Sequence, residues 1–157
     1  MTRFTAWLVV TIAATAPLSS EAQPPEIIMV NMGGADCPPC VAWRRFDLPE
    51  LQATEAFKSI TFVHVEKTIY STVPPRLFLP SQVKPLKEKL DLASGGNSGS
   101  PQVAILVNGE VYDYYFGTRS AAVVEKMIQS IVNGSPYPIS RCIQRNRGWQ
   151  CAVVGQP

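Results

Sequence analysis

Cys37 and Cys40, separated only by Pro38 and Pro39, are the residues of this chain with the clearest capacity for chemistry. Two cysteines at this spacing serve a dithiol that cycles with its disulfide, half of a zinc site, or a plain structural crosslink. Disulfide exchange needs a thiolate, and a helix N-terminus stabilises one through its free N–H groups and macrodipole. Both prolines are acceptable only in a helix's first turn, where an N–H has no intrahelical partner. Cys37 is therefore expected at the N-cap as the attacking sulfur. Cys40, about one turn on, is expected to be the more buried thiol, placed to resolve the mixed disulfide with a substrate. A zinc site would need two further ligands, and Cys142 and Cys151, with eight residues between them, lack knuckle spacing. A copper site using the pair with His64, the single histidine, has no better support, and no metal is expected. Without a Ser-His-Asp set, hydrolase chemistry has no basis. "SGGNSGS" precedes a strand and reads as a linker, not as a phosphate-binding loop.

These residues need a compartment and a scaffold. Residues 1 to 22 carry Arg3, then an apolar core from Ala6 to about Ala14, then small residues ending at Ala22, the order of a secretory signal peptide with cleavage near Ala22. The apolar run is shorter than the roughly 20 residues that span a bilayer. The mature chain is expected to be exported, periplasmic or secreted. Its net charge of +2 is unchanged by cleavage, since Arg3 and Glu21 leave together, and so mild a charge suggests neither nucleic acid nor membrane as partner. Export implies an oxidising environment in which the four cysteines pair. The spacings favour Cys37 with Cys40 and Cys142 with Cys151, the second pair structural and pinning the C-terminal tail.

The remaining chain reads as one domain. Ile27–Met32 predicts a strand ended by Gly33-Gly34. The helix after it should break near Asp47, because Pro49 pushes Leu48 away from helical geometry, before "PELQATEAF" resumes. A β-rich strand runs from about Ile60 to Glu66. Residues 68 to 80, with three prolines and Leu77, Phe78 and Leu79, fit neither helix nor strand, and serve either substrate recognition or packing over a sheet edge. Residues 81 to 92 read as a helix with Pro85 near its first turn. Asn108-Gly109 joins two strands as a hairpin, and Ser120 to Val132 forms a closing helix stopped by Gly134.

This β-α-β order, followed by a helix, a hairpin and a final helix, with CxxC opening the first helix and Gly99-Ser100-Pro101 before the hairpin, resembles the thioredoxin family over residues 25 to 134. The resemblance implies an α/β, thioredoxin-like fold: a central mixed β-sheet flanked by helices, spanning residues 23–134. Residues 135–157 then form a disulfide-pinned extension. It implies a cis Pro101 packed against the cysteine pair, Ser100 and Pro101 holding the substrate's extended chain, and thiol–disulfide exchange with protein substrates. No dissociable cofactor is implied, the protein is expected to act as a monomer, and a membrane-bound redox partner should recycle the pair.

Two positions depart from the family pattern. Asp36 stands where Trp is common, and Asn31 where a buried Asp often takes the second thiol's proton. An amide cannot accept that proton, and His64, Glu66 and Lys67 are the nearest alternatives by topology. Pro38 and Pro39 also remove two N–H donors from the Cys37 thiolate, and the Asp36 charge opposes it. Arg44 and Arg45, two turns down, read as a solvated helix face. A weakly stabilised thiolate favours a reductant or isomerase over a strong oxidant. The rival reading is a non-catalytic binding module of the same fold whose CxxC disulfide is structural.

Overall fold

The computed structural model describes residues 23–145 and 148–152. The signal-peptide reading of residues 1 to 22 lies outside the described residues. Four strands form one sheet: β1 (Ile27–Met32), β2 (Thr61–Val65), β3 (Gln102–Val107) and β4 (Glu110–Phe116), in the order β2-β1-β3-β4. β1 runs parallel to β2 and antiparallel to β3, and β3 runs antiparallel to β4. The sheet is therefore mixed, with β1 and β3 central. Strands covered on both faces must be apolar throughout, which is why "IIMVNM" and "QVAILV" are near-continuous hydrophobic runs.

Alternation along the strands divides the core in two. One face carries Met29, Val103 and Ile105 against Trp43, Leu51, Val124, Met127 and Ile128. These come from α1 (Pro38–Arg45), α2 (Asp47–Gln52) and α5 (Ala121–Val132), with the short α3 (Glu55–Lys58) beside them. The other face carries Val30, Met32, Val63, Val65, Ala104 and Leu106 under Leu90 of α4 (Lys87–Ser94). Val73, Leu79 and Val83 complete that face. The irregular segment between β2 and α4 is thus anchored by a few buried residues, while Leu77 and Phe78 point outward at 81% and 70% exposure. Asn108 (φ 51°) and Gly109 (φ 76°) make the β3–β4 turn with both central residues in the left-handed region, as the hairpin signal required.

Three expectations need correction. The break after α1 comes at Phe46, beside Asp47 as expected, but Leu48 is helical although it precedes a proline. Pro49 then sits in the first turn of α2, where its missing N–H has no intrahelical partner to lose. The helix expected over residues 81 to 92 begins instead as a 3-10 turn, Lys84–Leu86, and becomes α-helical only from Lys87 to Ser94. Pro85 at the start of that turn sets the tighter winding and delays the α-helix. The second strand, Thr61–Val65, is one residue shorter at each end than the expected span. Beyond the domain, β5 (Arg141–Arg145) and β6 (Gly148–Ala152) form a separate antiparallel pair whose register sets Cys142 opposite Cys151. The side chains that would form a Cys142–Cys151 disulfide lie outside the described residues. Among the described residues no helix is long and apolar enough to cross a membrane.

Candidate active site

Cys37 is the N-cap of α1, in extended conformation, with Pro38 and Pro39 in the first turn. The backbone at Cys37 can therefore leave the β1 loop without a helical φ/ψ, while the prolines' fixed φ starts the helix. Cys37 and Cys40 are joined in a disulfide with Cα atoms 5.3 Å apart. With both prolines lacking an N–H, the Cys40 N–H is the donor that reaches Cys37 Sγ, at 3.3 Å. On the opposite side lies the loop entering β3, whose Ser100–Pro101 peptide bond is cis. The Ser100 hydroxyl is 3.3 Å from Cys40 Sγ, and Pro101 is buried. Gly33 closes the third side: a Cβ there would stand 2.6 Å from Cys40 Sγ and 3.2 Å from Ser100 Oγ, so only glycine leaves room for the pair.

A four-stranded mixed sheet in the order β2-β1-β3-β4 carries the cysteine pair on the helix after β1 and the proline on the loop before β3. The fold is thioredoxin-like. No protein-family model matches the sequence, and no curated protein is similar to it. Solved structures similar to this thioredoxin-like chain include a thiol:disulfide interchange protein of the thioredoxin family from Chlorobium tepidum TLS. The two are 20% identical, with a TM-score of 0.48, over 68% of this chain and 80% of that one. Another is the oxidised thioredoxin from Plasmodium falciparum, 17% identical with a TM-score of 0.42, over 68% of this chain and 82% of that one.

Within this thioredoxin-like frame the two cysteines are not distinguished by exposure. Cys37 is 0% exposed and Cys40 2%, so the contrast expected from their positions is absent in the oxidised protein. Residues 66 to 71 leave β2 and run beside the cysteine loop, where Glu66 accepts the Ala35 N–H and Asp36 accepts the Ile69 N–H. Arg44 is a second correction. Instead of lying on a solvated face, its guanidinium turns back along α1 to donate to the carbonyls of Gly33 and Gly34 at 3.5 and 3.4 Å, and lies 3.3 Å from His64 Nε2. Backbone carbonyls at the end of β1 attract a cation that simple helix counting places far from the motif.

The residues proposed to replace the missing carboxylate have different positions. His64 pairs in register with Asn31; its Nδ1 is 3.1 Å from Asn31 Oδ1 and its Nε2 is 3.2 Å from Glu66 Oε2. These three form a polar chain from the buried Asn31 to the exposed Glu66. Lys67 is not part of it. Its ammonium donates to the carbonyls of Ser71 and Gly99, and burial pushes it below the usual lysine range, with the Asp36 charge acting in the opposite sense. Sequence reasoning missed the Ser100 contact with Cys40, having assigned Ser100 to the substrate alone. It also missed Gly33, whose only signal was the glycine pair ending β1. Among the described residues no group of three or more His, Cys, Asp or Glu side chains is gathered for a metal.

Proposed function

We propose that the protein is an exported thiol–disulfide oxidoreductase acting on protein substrates. The observation that supports it best is the Cys37–Cys40 disulfide at the N-terminus of α1, with the Cys40 N–H directed at Cys37 Sγ. In the reducing direction the Cys37 thiolate attacks a substrate disulfide. One sulfur of the substrate leaves as a thiolate, which takes a proton, and the other is held to Cys37 as a mixed disulfide. Cys40 loses its proton and attacks Cys37 Sγ, forming the Cys37–Cys40 bond and releasing the second substrate thiol. The substrate gains two electrons and two protons, and a dithiol reductant, such as a membrane-bound donor, must restore the pair. Ser100, against Cys40 Sγ, holds the resolving sulfur, and Ser100 with Pro101 borders the path of the substrate chain.

We assign the direction as reductant or isomerase. One N–H donor at Cys37, desolvation of its sulfur and the adjacent Asp36 all limit stabilisation of the thiolate. A pair that gains little from reduction is a weak oxidant. Complete burial of Cys37 also favours a second reading, a binding module with a structural disulfide. The Cys40→Ser variant separates the two. An enzyme accumulates mixed disulfides through Cys37 when exposed to oxidised proteins, and a binding module traps none. A reduction potential near −270 mV, about that of thioredoxin, supports the reductant, and one near −120 mV overturns it.

A further inference from the structure

Exchange, on the reading above, needs a sulfur that a substrate can touch, yet Cys37 has no exposed surface although Ala35, Asp36, Pro38 and Pro39 around it are all exposed. The segment Glu66–Ser71 is held at both flanks of the disulfide. On one flank Glu66 Oε1 accepts the Ala35 N–H at 3.1 Å and Asp36 Oδ2 accepts the Ile69 N–H at 3.0 Å. Gly34 lets the segment in this far: a Cβ there would stand 2.2 Å from the Lys67 carbonyl oxygen. On the other flank Lys67 Nζ donates to the Gly99 carbonyl at 2.6 Å, next to the Ser100 that touches Cys40.

These attachments differ in strength. Lys67 is buried at 6% exposure and Val73 at 3%, so both ends of the segment are fixed. Between them Thr68 and Tyr70 are exposed, Ile69 is only half-buried, and a turn closed by the Ser71 N–H on the Thr68 carbonyl makes residues 68 to 71 a unit. The Lys67 ammonium holds the Ser71 carbonyl, so Ser71 is the fixed end of the turn, and among the described residues the turn's one hydrogen bond to the cysteine loop is from the Ile69 N–H to the exposed Asp36.

We propose that Asp36 controls access to Cys37: its carboxylate latches the 68–71 turn beside the disulfide, and release of the Ile69 N–H lets the turn swing out and uncover the sulfur. Low local stability is what an access element requires. The position that carries Trp in the resembling family would then carry the latch of this chain. The inference rests on the exchange reading for its purpose, but its test does not.

The rate at which dithiothreitol reduces the Cys37–Cys40 disulfide is measured in the oxidised mature protein and in the variants Asp36→Ala and Asp36→Asn. Both variants remove the charge, and only Asp36→Asn keeps an oxygen to accept the Ile69 N–H. The expected result is an increase of about two- to tenfold for Asp36→Ala over Asp36→Asn, the size implied by losing one hydrogen bond to a neutral oxygen. Equal rates in the two variants overturn the latch, whether or not both differ from the parent. Amide hydrogen exchange gives a second reading that needs no variant. A protected Ile69 amide in the parent, exposed in Asp36→Ala, supports the proposal, and an unprotected one overturns it. Dithiothreitol reduces any accessible disulfide, so failure here leaves the Cys40→Ser trapping result standing, and failure of trapping leaves this one standing.

Discussion

Gly33→Ala should shift the reduction potential of the cysteine pair without any change of charge. Gly33 has no positive φ, so alanine meets no backbone strain there, and space alone is at issue. The added methyl would lie 2.6 Å from Cys40 Sγ, 3.2 Å from Cys40 Cβ and 3.2 Å from Ser100 Oγ. Ser100 can turn its hydroxyl away. In the oxidised protein Cys40 Sγ cannot turn, because it is bonded to Cys37, whereas the reduced thiol can rotate about its Cα–Cβ bond. The clash therefore falls mainly on the oxidised form. Overpacking by one methyl costs about 1 to 3 kcal/mol in a packed site. At 30 mV for each 1.4 kcal/mol of a two-electron couple, this corresponds to a potential less negative by about 20 to 60 mV. Equilibration of parent and variant with glutathione buffers, read by thiol alkylation and mass spectrometry, gives the shift directly. Thermal melting should show the oxidised variant losing more stability than the reduced one. An unchanged potential, with both redox forms destabilised equally, would refute the argument that Gly33 is reserved for the disulfide.

Two further outcomes follow from the core on the α1 face. Trp43 is buried and its indole N–H donates to the Arg119 carbonyl at 2.8 Å, tying α1 to the start of α5; Trp43→Phe should cost about 1 to 3 kcal/mol in urea unfolding, and a loss below about 0.5 kcal/mol would show that the bond contributes little. Asp113 is 1% exposed, accepts from Tyr137 and Arg119 through Oδ2, and has Oδ1 buried with no hydrogen-bond partner among the described residues. Burial pushes its carboxyl above the usual 3.8 despite the Arg119 charge and these hydrogen bonds. The folded protein therefore holds this proton where the unfolded chain has lost it, and the stability involved is complete below pH 3.8 and lost as pH rises through the folded value. The difference in Tm between the parent and Asp113→Asn should fall as pH rises through that window, and a difference independent of pH would refute the assignment.

The chemistry-bearing pair and its place were legible because local rules suffice for them. Two prolines in succession admit Cys40 to a helix only if that helix starts at them, which puts Cys37 at its N-cap. Apolar runs without alternation announced the two central strands, and Asn108-Gly109 announced the turn after β3. What surrounds the sulfurs obeys no local rule. Arg44 reaches the carbonyls of Gly33 and Gly34, 11 and 10 residues away; Ser100 reaches Cys40 across 60 residues; and Asp36 reaches Ile69 across 33. These partners meet only because β1 pairs with β2 on one side and β3 on the other, bringing the ends of three strands to one place. Spacing along the chain decided which residues carry the chemistry. Only the pairing of the strands decided that Cys37 is buried, that Gly33 can bear no side chain, and that an aspartate beside the motif binds a backbone N–H from the segment after β2.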